Sequence, residues 1–386
     1  MIPYSKQSIN AKDLEAVVNV LESPWLTQGP KVPEFEESLA KAFKVKHAVA
    51  CSNGTSALQL AYAALGVGPS SIGIVPAITF AATANAFRYL GAEVRLCDVN
   101  KDNGLIDLAS LEKVMQKVND EGVPGPNIVS PVSLAGRIAP LQQVRELALK
   151  YNFLVVEDAS HSPGAFNYLP SQEKEFSGSC RWTDAATVSF HPVKHICCGE
   201  GGVVLTNCDN VANKAALLRS HGITKETKLN QQRPWYYEQI ELGWNFRLTD
   251  IQAALGIEQV KRLGRSIKRR SEIARMYDQA FSDEKFSGKI DVPDLIQGHA
   301  WHLYVIRFTL DSARDEAYHF LKNRDIISQV HYIPLYRHPF HASAYKVEDF
   351  PGSEYYFNRC LSIPMHPELT HDEQDKIISS LSDFIT

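Results

Sequence analysis

The stretch HAVACSNGTSALQLAYAAL, residues 47–65, passes from a strand pattern to a helix pattern within a few residues. Its first five residues are almost continuously apolar, which is typical of a strand that is buried on both faces. In its second half, Leu58, Ala61, Tyr62 and Leu65 follow the i, i+3, i+4, i+7 spacing of a helix. A buried strand followed by such a helix is the unit from which parallel α/β sheets are built.

Six further short runs have the same buried character. They are IGIV (72–75), EVRLC (93–97), NIVSPV (127–132), FLVVE (153–157), AATVSF (185–190) and VVLT (203–206). Helical patterns separate several of them, for example from Leu141 onward. Strands that alternate with helices predict an α/β fold with a mostly parallel, seven-stranded sheet. The last two runs lie closer together, so we expect an antiparallel edge in that part of the sheet.

The pattern changes near residue 247, which divides the chain into a large unit (1–247) and a smaller α+β unit (248–386). Residues 248–281 carry helical periodicity without a proline and are expected to bridge the two units. The smaller unit is predicted to contain strands at WHLYVIRF (301–308) and ISQVHYIPL (327–335), and helices near 313–323 and 371–384.

The composition limits the possible partners of the chain. Of its 386 residues 44% are hydrophobic and 22% are charged, and the net charge is −4. Such a charge does not favour nucleic acid or anionic lipid, and no signal pattern or spanning apolar run is present. The seven cysteines form no CxxC pair, which favours reduced thiols over disulfides or a zinc site. We therefore expect a soluble cytoplasmic protein without nucleic-acid, membrane or metal partners.

Several common ligand-binding motifs are missing. The sequence has no G-x-x-x-x-G-K-[ST], no G-x-G-x-x-G after the first strand, no HExxH and no DxDxDG. An α/β protein without them most simply binds its ligand through loops at the carboxyl ends of its strands.

Two of these loops offer polar groups. In SNGTSAL (52–58), Gly54 permits close backbone approach and Thr55 offers a hydroxyl at a helix N-terminus, which suits a phosphate. An ordinary N-cap turn would use the same residue types. In VVEDASHSPGA (155–165), a buried strand delivers Asp158 and His161 to its end. Asp158 is placed either to pair with a cationic ring nitrogen or a metal, or simply to cap the next segment.

The third loop, SFHPVKHICCGEGG (189–202), presents Lys194 in a turn among apolar neighbours and glycines. Most lysines are solvated surface residues. A desolvated lysine, however, loses basicity and becomes a nucleophile that can form a Schiff base. Together the loops supply a phosphate cradle, an acid and a reactive lysine. Phe80, either a core residue or a stacking partner for a ring, completes the set of groups that pyridoxal 5'-phosphate (PLP) needs.

Five ordered blocks resemble the DegT/DnrJ/EryC1/StrS sugar aminotransferase family. They are GTSAL (54–58), PAITFAATANA (76–86), EDASHSPGA (157–165), SFHPVK…GEGG (189–202) and LGWNFRLTDIQAALG (242–256). The resemblance extends from TQGPKVPEFE near residue 27 to LSIPMHPEL near residue 361. It implies an aspartate-aminotransferase-like type I PLP fold.

The family pattern implies roles for individual residues. Lys194 matches the Schiff-base lysine, Asp158 the acid that keeps the pyridine nitrogen protonated, and His161 a catalytic position against the cofactor. The remaining cofactor contacts implied are Ser189, Gly54 and Thr55 at the phosphate, Phe80 stacked on the ring, and Asn245 at the phosphate of a neighbouring subunit. The last role implies a homodimer with shared active sites.

Three segments resemble family members that aminate C4 of a UDP-linked 4-keto-6-deoxy-N-acetyl sugar on the way to pseudaminic acid. They are the N-terminal part at Tyr4, SPWLTQG (23–29) and QVHYIPLY (329–336). The resemblance implies L-glutamate as amino donor, 2-oxoglutarate as its product, and sugar-nucleotide contacts from Tyr4, Pro24, Trp25, Leu26, Thr27, Gln329, Val330, His331 and Tyr332. One departure is Ser133 in PVSLAGR (131–137), where relatives commonly have a histidine, an acidic or an aromatic residue.

Other interpretations stay open at this point. The substrate could instead be a GDP- or dTDP-linked 4-keto sugar, as in perosamine-like pathways. A dehydratase branch of the family replaces the lysine with histidine, and His195 is adjacent to Lys194. A regulator that only binds PLP or a sugar nucleotide would not need Asp158. A transaminase acting on amino acids alone would need an arginine clamp, and none of these motifs identifies one.

Overall fold

The computed structural model describes residues 1–386 and contains fourteen strands and thirteen α-helices. The strands are β1 (His47–Cys51), β2 (Ile72–Pro76), β3 (Glu93–Cys97), β4 (Asn127–Val129), β5 (Phe153–Asp158), β6 (Phe166–Tyr168), β7 (Lys174–Phe176), β8 (Ala185–Ser189), β9 (Gly202–Thr206), β10 (Ile223–Thr224), β11 (Glu238–Gln239), β12 (Ile290–Asp291), β13 (Tyr304–Phe308) and β14 (Cys360–Ile363). The helices are α1 (Ala11–Leu21), α2 (Lys31–Phe43), α3 (Gly54–Ala64), α4 (Ala81–Tyr89), α5 (Leu108–Glu121), α6 (Leu141–Tyr151), α7 (Asp209–Arg219), α8 (Lys228–Gln232), α9 (Asp250–Lys261), α10 (Leu263–Phe281), α11 (Ala313–Lys322), α12 (Pro351–Arg359) and α13 (His371–Ile385).

The seven apolar runs form one sheet in the order β1-β9-β8-β5-β4-β2-β3, which confirms the predicted α/β fold. All neighbouring pairs are parallel except those of β9, which is antiparallel to both β1 and β8. The expected antiparallel pairing is therefore present at this end of the sheet, with β9 one position inside the edge strand β1. A parallel return from β8 would need a long crossover, whereas the loop 190–201 simply turns the chain back. That loop carries Lys194.

Buried side chains fill both faces of this sheet. On one face α3 packs against the strands through residues such as Leu58 and Tyr62, and Tyr62 stacks on Phe87 with ring centroids 3.7 Å apart. A second cluster holds α2 and α9 against β1, β8 and β9, and a third holds α5 and α6 against β2 to β5. Two layers of helices around a parallel sheet fix the strand ends firmly, and these ends carry the predicted site.

The C-terminal part contains the antiparallel sheet β12-β13-β14, covered by α10, α11 and α13. The predicted helices near 313–323 and 371–384 are confirmed as α11 and α13, and the 248–281 periodicity becomes α9 and α10, separated at Arg262. The strand predicted at 327–335 is wrong: only Gln329 forms a bridge, to Ser362 of β14. In the large unit, residues 166–183 between β5 and β8 contain the short hairpin β6–β7.

The two ends of the chain meet in this C-terminal part. Ile2 is buried in the cluster that contains Tyr304 and Ile326, and it forms a parallel bridge to Ile326. A further cluster joins Leu134 of the first half to Leu303 of the second half. The division at residues 247 and 248 stays a prediction, because these contacts cross it.

All seven cysteines are free, and six of them are buried. No helix is long and apolar enough to cross a membrane.

Candidate active site

The candidate site lies where the parallel strands β5 and β8 end. Asp158 is the last residue of β5, Ser189 is the last of β8, and the two strands pair in parallel with Asp158 opposite Thr187. The N-terminus of α3 reaches the same edge, because Gly54 approaches Ser189 closely. The fold thus brings together residues that are far apart in the sequence.

Gly54 and Ser189 form a tight cradle at the start of α3. A Cβ atom at Gly54 would lie 2.8 Å from the Cβ of Ser189. Asn53 caps the helix by accepting the N–H of Ser56 at 2.8 Å, while the N–H groups of Gly54 and Thr55 have no partner within the chain. Free N–H groups at the positive end of a helix dipole, beside two hydroxyls, suit a phosphate.

Lys194 lies five residues after β8, in the loop that returns to β9. Its side chain is partly accessible, but the protein atoms packed around its amine displace most of the water. This desolvation lowers the pKa of Lys194 to about 8, although the negative charge of Asp158 acts in the opposite direction. An amine with such a pKa is unprotonated near neutral pH far more often than an ordinary lysine, so it can act as a nucleophile or base.

Asp158 is buried and held by two hydrogen bonds. Thr83 Oγ1 donates to its Oδ2 at 2.9 Å, and the N–H of Ser160 donates to its Oδ1 at 3.1 Å. Thr83 is itself fully buried on the first turn of α4, where it also contacts the Thr79 hydroxyl at 2.9 Å. Sequence reasoning missed Thr83; its place one helical turn after Phe80 is the signal that could have identified it.

His161 connects this edge of the sheet to the C-terminal part. The N–H of Ala135 points at its Nδ1 at 3.4 Å, so its Nε2 carries the proton and lies 3.0 Å from the Tyr332 hydroxyl. Burial, together with the nearby charge of Lys194, keeps the pKa of His161 well below its ordinary value, so the ring is neutral. It packs on His302 with ring centroids 4.2 Å apart.

The aromatic side chains around Tyr332 form one wall of the cleft. Phe80, at the N-cap of α4, has 62% of its surface exposed, and its ring centroid lies 6.0 Å from that of Tyr332. Tyr4 packs on His331 at 5.6 Å. An exposed phenylalanine at the mouth of a cleft is available to stack on a flat ligand.

Of the predicted substrate residues in 329–332, only Tyr332 forms a hydrogen bond with His161. His331 is buried, with its Nδ1 2.8 Å from the Ser362 hydroxyl. Gln329 is exposed, and its backbone pairs with Ser362, while Val330 packs into the core. Their roles toward a substrate stay predictions.

Pro24, Trp25, Leu26, Thr27 and Asn245 are all exposed. Thr27 forms an antiparallel bridge to Thr249, and the N–H of Asp250 donates to Leu26 O at 3.0 Å. Asn245 is exposed, and its neighbour Phe246 accepts the N–H of Ser52 at 2.8 Å. None of these residues forms a hydrogen bond with Lys194 or Asp158 in the chain.

Ser133, the departure from the family pattern, has a structural role. It is fully buried, and its hydroxyl donates to Glu157 at 2.6 Å. Glu157 also accepts the Ser177 hydroxyl at 2.7 Å and the N–H of Gly178 at 2.9 Å. Because successive strand residues point to opposite faces, this network lies behind Asp158, away from the cleft.

The described groups fit PLP. The free N–H groups of Gly54 and Thr55 suit its phosphate, and a Cβ at Gly54 would fill the space that the cradle leaves. The amine of Lys194 suits its carbonyl carbon, and the carboxylate of Asp158 suits its ring nitrogen.

Comparison with known proteins decides the family. The model of the DegT/DnrJ/EryC1/StrS aminotransferase family matches residues 7–382. The chain belongs to this family. It is therefore a PLP-dependent sugar aminotransferase, as the five sequence blocks predict.

Individual members of the family resemble the chain over its whole length. The UDP-4-amino-4,6-dideoxy-N-acetyl-beta-L-altrosamine transaminase of Campylobacter jejuni is 36% identical over 96% of this chain and 93% of its own. The spore coat polysaccharide biosynthesis protein SpsC of Bacillus subtilis is 34% identical over 100% of this chain and 97% of its own. The structure of Helicobacter pylori PseC, an aminotransferase involved in the biosynthesis of pseudoaminic acid, superimposes with a TM-score of 0.88 at 29% identity, covering 100% and 99% of the two chains.

Proposed function

We propose that this enzyme transfers the amino group of L-glutamate to C4 of a UDP-linked 4-keto-6-deoxy sugar in the biosynthesis of pseudaminic acid or a related surface glycan. The observation that carries the reaction is the convergence of the desolvated Lys194 amine and the buried Asp158 carboxylate at one edge of the sheet. The substrate class is supported by the names of the Campylobacter and Helicobacter relatives. The alternative substrate is a GDP- or dTDP-linked 4-keto sugar, and the test below distinguishes it from a UDP-linked sugar.

PLP, when bound, supplies an electron sink that stabilises negative charge at the reacting carbon. Gly54, Thr55 and Ser189 would hold its phosphate, Phe80 would stack on its ring, and Asp158 would keep a proton on its ring nitrogen. Thr83 donates a 2.9 Å hydrogen bond to Asp158 Oδ2, which holds the carboxylate in one orientation.

Lys194 moves the proton in both half-reactions. With a pKa of about 8, its Nζ accepts a proton from Cα of glutamate as a general base and returns it as a general acid. In the second half-reaction the same Nζ transfers the proton at C4 of the sugar in the opposite direction. A base whose pKa is near the working pH is efficient in both roles.

His161 links the end of β5 to Tyr332 without placing a positive charge next to Lys194. Its neutral ring donates from Nε2 toward the Tyr332 hydroxyl, which ties the strand end to the 329–332 segment. A neutral ring beside Lys194 does not repel the protonated lysine as a histidinium would, so Lys194 can hold the proton between the two transfers.

The active sites are completed in a homodimer. Asn245 and residues 24–27 are exposed and form no hydrogen bond with Lys194 in their own chain, although the family pattern assigns them to cofactor and substrate. Large apolar side chains are exposed nearby in the sequence, among them Trp25, Trp235 and Leu242, and such surfaces mark protein interfaces. A second copy would cover them and carry Asn245 to the cofactor phosphate of the other subunit.

The test is a panel of UDP-, GDP- and dTDP-linked 4-keto-6-deoxy sugars, each incubated with the holoenzyme and L-glutamate. The expected result is formation of a 4-amino sugar and 2-oxoglutarate in equal amounts, fastest with a UDP-linked sugar, and none with Lys194→Ala. Faster amination of a GDP- or dTDP-linked sugar would replace the proposed substrate, and amination at another carbon would contradict the assignment to C4.

A further inference from the structure

A cavity of about 700 Å³ lies beside Lys194 but outside the cleft described above. Its lining includes Lys194 and His195 but none of Asp158, His161 or Phe80. Its walls are residues 6–10 of the N-terminal arm, the first turns of α10 and the turn at Pro367 and Glu368. The cavity is therefore lined by Lys194 but by none of the other residues that the family pattern assigns to the cofactor.

The lining is strongly basic, in contrast to the net negative charge of the chain. Besides Lys194, the lining holds six cationic and two acidic side chains, which are Lys6, Arg262, Arg265, Lys268, Arg269, Arg270, Glu272 and Glu368. A concave surface of one charge sign concentrates ions of the opposite sign.

Three of these cations have no carboxylate partner. Lys6, Arg265 and Lys268 are exposed at the cavity and take part in no salt bridge. Arg265 and Lys268 stand three residues apart on α10, so they lie on the same side of the helix. By contrast, Arg262 pairs with Asp13, and Arg269 lies 3.5 Å from Glu272.

Two buried polar residues, His195 and Arg270, also belong to the lining of the cavity. His195 is 4% exposed; its Nε2 donates to Ala300 O at 2.9 Å, and its Nδ1 has no partner. Arg270 is 1% exposed and donates to three backbone carbonyls, among them Met365 O at 2.9 Å, but to no carboxylate. Buried polar groups without partners are uncommon in native structures, and a buried arginine without a counter-ion leaves its positive charge uncompensated.

The N-terminal arm separates this cavity from the catalytic cleft. Tyr4 packs on His331 on the cleft side, while Lys6 lines the cavity. Between them the hydroxyl of Ser5 donates to Val193 O at 3.2 Å, which attaches the arm to the Lys194 loop.

We propose that this cavity is a second ligand site, which binds a small polyanion. Lys6, Arg265 and Lys268 bind its phosphate or carboxylate oxygens, and the uncompensated positive charge of the buried Arg270 favours an anion at this place. The ligand thereby joins the arm to α10 and restrains the loop that carries Lys194. Two sources share this chemistry, a free diphosphate and a polycarboxylate.

The test is isothermal titration calorimetry of the PLP-loaded enzyme at constant ionic strength, with pyrophosphate and, separately, with citrate. Arg265→Ala combined with Lys268→Ala is expected to weaken binding about tenfold or more, since each removes a charge-assisted hydrogen bond. The matched control is Lys113→Ala combined with Lys117→Ala, two exposed, unpaired lysines on α5 that remove the same charge far from the cavity. The control is expected to bind like the wild type.

The site is supported if the wild type and the control bind one of the probes and the Arg265/Lys268 variant does not. The probe that binds then shows whether the ligand is a phosphate or a carboxylate. Binding of neither probe, or an equal loss in the control, overturns the proposal. So does an Arg265/Lys268 variant that binds as the wild type does. The titration requires no turnover, so its result is independent of the sugar substrate.

Discussion

Thr83 Oγ1 donates a 2.9 Å hydrogen bond to Asp158 Oδ2, and both residues are buried. The hydroxyl on α4 thus orients the carboxylate at the end of β5. Thr83→Val keeps the shape but removes the bond, and hydrogen bonds to charged groups contribute about 1.5–3 kcal/mol. We expect kcat/KM to fall about tenfold or more while PLP content, measured by absorbance, stays unchanged. Thr83→Ser should restore activity; a Thr83→Val enzyme with wild-type kcat would show that the bond has no catalytic effect.

The amine of Lys194 should determine how fast the apoenzyme takes up PLP. Only the unprotonated amine attacks the cofactor, so the rate should rise with pH through about 8 and then level off. Because the charge of Asp158 raises the pKa of Lys194, Asp158→Asn should move this midpoint to lower pH. Stopped-flow absorbance of PLP uptake measures both profiles. Lys194→Ala should show no band of lysine-linked cofactor, and a persisting band would refute the assignment.

Gly54→Ala should weaken PLP binding, since the added methyl group would lie 2.8 Å from the Cβ of Ser189 and must displace one wall of the phosphate cradle. Equilibrium dialysis of the cofactor measures the effect. Gly264→Ala is the control, because nothing lies within 4 Å of its Cβ position near the start of α10. That substitution is expected to be neutral or to stabilise the protein by up to about 1 kcal/mol. Unchanged PLP affinity in Gly54→Ala would show that Gly54 and Ser189 do not form the phosphate site.

Glu175 on β7 should make the protein less stable as the pH rises. It is buried with one oxygen unpartnered, and burial, then the charge of Glu157, raises its pKa to about 7. In the unfolded chain it ionises near its ordinary value of 4.5, so stability is lost between pH 4.5 and 7. Glu175→Gln should therefore raise the Tm more at pH 8 than at pH 5. The exposed Glu173→Gln should change it little at either pH; an equal effect of both variants would refute this account of Glu175.

Shared active sites predict complementation between two inactive variants. A heterodimer of Lys194→Ala and Asn245→Ala subunits would have one site with both defects and one site with neither. Mixing and refolding the two variants together should thus recover about half the wild-type activity per heterodimer. If Asn245 serves its own subunit, every site keeps one defect and no activity returns.

The main sheet was predictable because each of its strands is a short apolar run bounded by turn residues. The same reasoning predicted a strand at 327–335, which the structure does not form. His331 and Tyr332 are residue types found in strands, but here their side chains form hydrogen bonds with Ser362 and His161. The strand Cys360–Ile363 was missed because it is only four residues long and directly follows a helix.

Site residues that match a family position could be identified from the sequence blocks, whereas roles that depend on tertiary packing could not, even for Thr83, which lies within the block 76–86. Thr83 acts through Asp158, 75 residues away in the chain, and His302 acts by packing on His161. The basic cavity likewise combines the N-terminal arm with α10 and the turn after β14. No local spacing connects such segments, because only the folded chain brings them together.

The bridge from Ile2 to Ile326 has a consequence for synthesis of the enzyme. Ile2 is translated long before Ile326, so the arm cannot reach this binding partner until Ile326 has also been made. The arm that ends up against the Lys194 loop therefore stays undocked during translation, and contacts between such distant residues form slowly. The active-site wall at Tyr4 is thus completed last, so a newly made chain acquires its large sheet before it acquires a closed cleft.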